Sequence, residues 1–328
     1  MTRLIDLPEY LLPEEIEELD ISNGELISLA GIEKFRNLKK LYCNDNRITA
    51  LDPLPPGLEI LDCSHNKIVT LNSLPSGLRV LGCSDNRITA LDPLPPGLEI
   101  LDCYYNHITT LDHLPSGLQK LNCHNNRITS LDHLPSGLQR LICSNNQISS
   151  LDSLPQGLQE LLDCSGNQIT TLDSLPPGLQ ELNCPYNQIT SLDCLPSGLQ
   201  ELNCPYNQIK SLDSLPSGLQ KLDCSHNKIV TLNSLPSGLQ ELYCPYNQIR
   251  TLDSLPSELQ IFYCSDNPLS QRYADKTLIE IKEIVKERNL QAKKVYKIWK
   301  RYWYEQKDSN GENRYIKSLK QRNSLLIL

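Results

Sequence analysis

Three columns of residues recur in this chain at a spacing that could organise chemistry: one of cysteine, one of aspartate, and one shared by tyrosine and histidine. Cysteine stands at Cys43, Cys63, Cys83, Cys103, Cys123, Cys143, Cys164, Cys184, Cys204, Cys224, Cys244 and Cys264, every 20 residues except for one step of 21. Such a series invites disulfides or a metal centre. Neighbours stacked at the strand spacing of about 4.8 Å with parallel Cβ vectors do not suit a disulfide, whose Cβ atoms sit about 3.8 Å apart. Zinc needs ligands that converge on a point, and a ladder supplies a line. Both arguments assign the column to an apolar core, a usual place for free cysteine. Cys194 lies off the column and is the expected exposed thiol, with no evident base beside it.

The aspartates Asp52, Asp92, Asp112, Asp132, Asp152, Asp173, Asp193, Asp213 and Asp253 form a second column, and stacked carboxylates are ligands of the kind calcium takes. Asn72 and Asn233 interrupt it. Asparagine keeps an Asx-type bond to nearby backbone and loses the charge, so a turn-forming role accounts for both residue types. Neither column predicts a bound metal or cofactor.

The third column begins two residues after the cysteine and holds Tyr105, Tyr186, Tyr206 and Tyr246, with His65 and His226 in the same place. Tyr186, Tyr206 and Tyr246 each follow a proline, and Tyr104, Tyr243 and Tyr263 extend the expected aromatic surface. Tyrosine offers amphipathic contact area with little side-chain entropy to lose, which favours it in binding surfaces. The eight candidate contact residues are therefore Tyr104, Tyr105, Tyr186, Tyr206, His226, Tyr243, Tyr246 and Tyr263. Passive copying is the competing explanation, because residues 61–78 and 222–239 are the same LDCSHNKIVTLNSLPSGL and 48–63 repeats at 88–103. Catalysis finds little footing: no Gly-rich phosphate loop, Ser/His/Asp set or Cys/His pair at an informative spacing occurs.

What positions these columns is a repeat. Asn46, Asn66, Asn86, Asn106, Asn126, Asn146, Asn167, Asn187, Asn207, Asn227, Asn247 and Asn267 keep the same period, and the one longer step follows an extra leucine at Leu161-Leu162. A fixed period of 20 to 50 residues marks a solenoid, in which each turn needs only its neighbours. Leu202 and Cys204 alternate with period 2, so both point inward from a short parallel strand while Glu201, Asn203 and Pro205 face outward. The buried asparagine then serves the hydrogen-bonding groups of the turning backbone. A Leu-Pro-Ser-Gly or Leu-Pro-Pro-Gly return follows, with proline fixing φ and glycine permitting a tight turn.

The unit Leu202, Cys204, Asn207, Ile209, Leu212, Leu215-Pro216 and Leu219, within LNCPYNQIKSLDSLPSGLQ, resembles the leucine-rich repeat family, in particular its short Leu-Pro class found in bacterial effectors. The resemblance implies an α/β-class leucine-rich-repeat solenoid, curved and right-handed, with a parallel sheet on the concave face, an extended non-helical convex side and a helical C-terminal cap. The expected organisation is an N-terminal cap over 1–18, repeats over 19–270 (one divergent coil of 22 residues and about twelve of 20 or 21) and a basic helical cap and tail over 271–328. The near-identical repeats, cysteine column and lysine-rich aromatic tail together are similar to leucine-rich-repeat proteins of amoeba-infecting giant viruses, which implies a host-facing role. Some effectors with similar repeats carry a large C-terminal ubiquitin-ligase domain with a nucleophilic cysteine. Here Cys264 is the last cysteine, so that activity is not carried over.

The formal charge of -8 conceals an asymmetry: residues 1–270 carry 16 Lys+Arg against 32 Asp+Glu, and residues 271–328 carry 15 against 7. MTRLIDLPEY has no apolar signal-peptide core and no Asn-x-Ser/Thr acceptor occurs, so a cytoplasmic, reducing location is expected. In the tail, Leu278, Ile281, Ile284 and Val285 form one helical stripe, and Val295, Ile298, Trp299, Tyr302 and Trp303 form another among Lys293, Lys294, Lys297, Lys300 and Arg301. A break near Asn289 predicts two helices or a bend, the first of which caps the solenoid. Leu290-Gln291, with Lys300 and Trp303, is similar to the IQ motif that binds calmodulin-type proteins, although Val295 stands where that motif has arginine. Trp299, Lys300, Arg301 and Trp303 are thus tail-binding candidates for a calmodulin-like protein or an anionic membrane surface; packing on the last coils, with the lysines solvated, is the alternative. The functional expectation is a non-enzymatic scaffold whose concave face and Tyr/His rim bind a protein, with neither small-molecule substrate nor nucleic acid expected as its partner.

Overall fold

The computed structural model describes residues 14–305 apart from 52, 92, 93, 253, 274 and 275, with backbone alone at 270 and 298–305. Most of the expected N-terminal cap lies outside these residues, as do Asp52, Asp92 and Asp253. A single sheet of thirteen strands runs in chain order from β1 (Glu18–Asp20) to β13 (Ile261–Tyr263). Each strand is three residues long and parallel to its neighbours, and the register places like on like: Leu202 pairs with Leu182 on one side and Leu222 on the other. The central leucine of each strand from β2 (Lys40–Tyr42) to β12 (Glu241–Tyr243) is buried while its two neighbours lie against the open face, as period-2 alternation requires.

The extra leucine is absorbed before its strand. In β8 (Leu161–Asp163), Leu161 pairs with Arg140 and Leu162 with Leu141, so the core register is kept. In an ordinary coil one carbonyl, such as Gln180 O, accepts from both Gln200 and Glu201 N–H. Here Gln159 O and Glu160 O accept singly from Gln180 and Glu181, and the added residue widens the approach as a bulge does.

The asparagine ladder holds adjacent coils together. Asn187 Oδ1 accepts from Ile169 N–H of the preceding coil at 2.9 Å, and Nδ2 donates to Cys184 O and Pro185 O at 3.2 Å and to Cys164 O of the preceding coil at 3.0 Å. The arrangement recurs from Asn46 to Asn267. Because Nδ2 takes the carbonyl of the preceding cysteine, the residue after each cysteine has no ladder bond to give. Ser165 N–H turns instead to Asp163 Oδ1 at 3.0 Å, and Pro185, Pro205 and Pro245 fill the place without losing a bond.

Eleven of the twelve column cysteines are fully enclosed, and only Cys264, on the terminal coil, is partly accessible. Burial pushes the Cys43 thiol up to about 12 and Cys264 to about 11. Cys194 is exposed, and its thiol is raised by a hydrogen bond to Asp173 and by the nearby Asp193 charge.

The return limb is extended, except that the longer first coil spends its extra residues on a 3-10 turn at Ile32–Lys34. Leu199 N–H closes a turn onto Pro196 O at 3.1 Å, and the other coils repeat it. The glycine of this turn does not need its conformational freedom, contrary to the expectation: among the described glycines positive φ is confined to Gly31 and Gly166, and the last coil uses Glu258 in the same place. The Asp column also differs. Asp193 accepts from Ser191 Oγ of its own coil and Ser214 Oγ of the next, and Asp132 likewise from Ser130 and Ser153. These hydroxyls hold both carboxyls below the usual range. Asx-type bonds to backbone belong instead to open-face aspartates such as Asp62 and Asp223.

After a short helix α1 (Ser270–Tyr273), α2 runs uninterrupted from Leu278 to Glu305. It passes straight through Asn289, where a break was expected, because asparagine inside a helix costs only about 0.7 kcal/mol or less relative to alanine. Its start is a capping box: Thr277 Oγ1 accepts from Glu280 N–H at 3.3 Å, and Glu280 Oε2 accepts from Thr277 N–H at 2.7 Å. Ile281 and Val285 are buried against the terminal coil, Lys282 Nζ donates to Ser257 O and Leu259 O, and Arg288 to Leu252 O. From Leu290 to Lys297 every residue is exposed.

Asn187→Ala removes one acceptor and one multiple donor from buried backbone partners, so urea denaturation should show a loss of about 3 kcal/mol. The exposed neighbour Gln188→Ala should stay within about 0.5 kcal/mol of the parent. A thiol reagent at pH 8 should modify Cys194 and, more slowly, Cys264 in the folded protein, with the other eleven cysteines reacting only after unfolding.

Candidate functional site

The rim column owes its geometry to the backbone. In all coils the residue preceding the ladder position is left-handed, with φ between +49° and +62°, because the chain must reverse away from the sheet there while its N–H continues the ladder. Tyr186 N–H bonds Pro205 O at 3.0 Å and His226 N–H bonds Pro245 O at 2.9 Å. Asparagine, aspartate, histidine and glycine tolerate this region best, and they fill the column wherever tyrosine does not: Asn125, Asn145, Asp85, His65 and Gly166 are examples. Tyr105, Tyr186, Tyr206 and Tyr246 are the costly occupants. The composition of this column is a sequence signal for positive φ, and the expectations above did not use it.

Four of these side chains form one stack. Ring centroids lie 4.4 Å apart for Tyr186 and Tyr206 at 9° between planes, 4.0 Å for Tyr206 and His226 at 11°, and 4.2 Å for His226 and Tyr246 at 14°. The coil spacing of about 4.8 Å sets this distance, and a slight tilt of each ring closes it to contact. Each stacked pair contributes about 0.5–1.5 kcal/mol, which offsets much of the roughly 1–2 kcal/mol that left-handed backbone costs a tyrosine. Desolvation within the stack and the adjacent Tyr186 push the Tyr206 phenol up. The tyrosines stay largely in solvent: Tyr186 is 59% exposed, Tyr206 42% and Tyr246 52%.

The other candidates separate from this group. Tyr104 is half-buried and stacks on His124 at 4.5 Å and 7°, with Tyr105 edge-on to both. His124 was not singled out from sequence. Its Nδ1–H donates to Asn122 Oδ1 over 2.7 Å, and desolvation lowers its pKa. Tyr243 and Tyr263 are paired neighbours on the open face of the last two strands, Tyr243 half-buried and Tyr263 exposed. Tyr243 borders a shallow depression of about 270 Å³ that includes Asn183, Glu201, Asn203, Lys221, Asp223 and Glu241. Its one cation is already engaged, Lys221 Nζ lying 3.1 Å from Glu201. The side chains of Trp299, Lys300, Arg301 and Trp303 lie outside the described residues. Among the described residues no group of three or more His, Cys, Asp or Glu side chains converges as metal ligands would, and no helix is long and apolar enough to cross a membrane.

Comparison with known families and structures accords with this geometry. The family description "Leucine Rich repeats (2 copies)" matches residues 36–76, 76–116, 96–136, 116–156 and 136–177, and "Leucine Rich Repeat" matches 218–242. Among solved structures, YopM from Yersinia enterocolitica is 32% identical over 76% of this chain and 69% of its own, with a TM-score of 0.52. YopM from Yersinia pestis, described as a leucine-rich effector protein, is 28% identical over 78% of this chain and 79% of its own, at 0.67. The functional domain of InlJ from Listeria monocytogenes, described as including a cysteine ladder, is 30% identical over 77% of this chain and 59% of its own, at 0.69. No functionally curated protein matches significantly. The chain belongs to the leucine-rich repeat family.

Proposed function

We propose that this protein is a non-enzymatic scaffold that binds a protein partner across the open, concave face of its sheet and the ring-bearing rim beside it. The observation that carries the reading is the four-ring stack of Tyr186, Tyr206, His226 and Tyr246, held largely in solvent on backbone that disfavours tyrosine. Strain of this kind tends to collect at functional positions. Passive copying of one repeat accounts for it less well, since His226 comes from the repeat sequence shared with residues 61–78, where His65 meets Asp85 at 2.9 Å instead of a ring. The likeness to a protein described as an effector supports a partner in a host cell, and a cytoplasmic, reducing location goes with that reading.

A second reading, a regulatory adaptor targeted to a calmodulin-like protein or an anionic membrane, is favoured by one observation. The outer part of α2 exposes Leu290, Val295 and Tyr296 together with Lys293, Lys294 and Lys297, a basic helix surface carrying apolar side chains that such targets can engage.

One set of variants separates the two. The full chain carrying Tyr186→Asn, Tyr206→Asn and Tyr246→Asn uses a residue the same column already accepts at Asn125 and Asn145, so folding is kept. Immobilised, it should lose at least about tenfold of the protein that the parent captures from host lysate, the loss expected when hot-spot tyrosines are removed; undiminished capture means the rim is not the interface. Lys293→Glu, Lys294→Glu and Lys297→Glu together should leave that capture intact. They should abolish any binding to calmodulin or phosphatidylserine vesicles, and absence of such binding in the parent rules out the second reading.

A further inference from the structure

The stack has an unfilled place at one end. Every coil but one puts a side chain into the rim column, and the exception is Gly166, at φ +62° in the coil next to Tyr186. Gly166 N–H bonds Pro185 O at 2.9 Å, so the two coils are in direct register. Within the stack the column's neighbours touch ring on ring at 4.0–4.4 Å, and His65 meets the Asp85 carboxylate. At the far end Tyr246 is followed by Asp266, and Tyr105 lies between Asp85 and Asn125. Tyr186 is the column's one ring beside a residue with no side chain, and it is the most exposed of the three stacked tyrosines.

The surroundings of this place are acceptors. A Cβ added at Gly166 would lie 2.3 Å from Asn145 Oδ1, so the amide oxygen of the preceding coil leans over the glycine. On the sheet side Asp163 lies three residues before Gly166, its carboxylate fixed by Ser165 N–H at 3.0 Å. A planar group laid on the free face of Tyr186 would therefore meet a ring on one side and an amide oxygen beside the glycine, with the Asp163 charge in the same coil as the gap. Guanidinium is planar, stacks on aromatic faces and carries five N–H donors around its edge. An apolar ring would leave that amide oxygen unanswered, and a lysine ammonium neither stacks flat nor presents donors in a plane. The repeats' excess of acid, 32 Asp+Glu against 16 Lys+Arg in residues 1–270, draws a cationic segment towards the site.

From this juxtaposition we propose that the gap over Gly166 is an arginine slot: a partner polypeptide inserts one arginine side chain onto Tyr186, extending the ring stack by one layer. This rests on the rim being the interface and names what it reads there.

The test compares two labelled peptides of equal length and charge, four Arg-Gly repeats and four Lys-Gly repeats, binding to the full chain by fluorescence anisotropy. A cation–π contact at a partly exposed ring predicts about a fivefold preference for the arginine peptide. Tyr186→Asn, which removes the platform, and Gly166→Tyr, which fills the slot, should each bring the two peptides to parity. Gln188→Ala, at an exposed residue off the rim, should leave the preference unchanged. Equal binding of both peptides by the parent, no binding of either, or a preference that survives both slot variants overturns the proposal. None of these results touches the capture experiment above, so loss of capture in the triple Asn variant with peptide parity would keep the rim as interface and reject the slot.

Discussion

Everything in this molecule depends on one side chain serving the backbone of two coils. A three-residue strand is too short to hold itself, and the sharp exit from it leaves carbonyls and N–H groups without partners. Asparagine answers both needs: Asn187 accepts from Ile169 N–H in the coil before and donates to carbonyls in both coils. Repetition of that bond fixes the period, because a coil of another length would present its asparagine to the wrong backbone atoms. The single 21-residue coil respects this constraint by placing its extra residue before the strand, so that Leu162 still pairs with Leu141.

The rim follows from the same requirement. To bring the asparagine inward, the preceding residue takes the left-handed conformation in every coil, and its side chain is thrown outward at the coil spacing. Rings placed in successive coils of that column come within stacking distance, and Tyr186, Tyr206, His226 and Tyr246 stack. The ladder therefore manufactures a row of parallel display sites, and what the chain puts in them is free to vary. Pro185, Pro205 and Pro245 belong to the same logic, occupying a position whose N–H the asparagine has made redundant.

The architecture was legible because it is encoded by recurrence. Twelve asparagines, the Leu-x-Cys alternation and the Leu-Pro return each specify a backbone role, and they agree with one another. The aromatic column was visible too, as were Tyr186, Tyr206, His226 and Tyr246 individually. Their face-to-face contact was not, since it depends on where left-handed backbone aims a side chain. His124 was missed because its partner Tyr104 is in the preceding coil and one position off the rim column. The serine hydroxyls that hold Asp132 and Asp193 come partly from the next coil, a relation no local motif announces. In α2 the local weakness at Asn289 was real, and the helix passes over it with its first turns anchored by Thr277 and the terminal coil.

The central claim is that the ring stack is kept for contact with a partner and not for the stability of the solenoid. Chemical denaturation of Tyr206→Asn tests it most directly, since Tyr206 sits in the middle of the stack and asparagine suits the left-handed site. Loss of two stacked pairs against relief of backbone strain predicts a stability within about 1.5 kcal/mol of the parent. A loss of more than about 3 kcal/mol, the scale of removing a ladder asparagine, would show instead that the rings belong to the fold and would contradict the account.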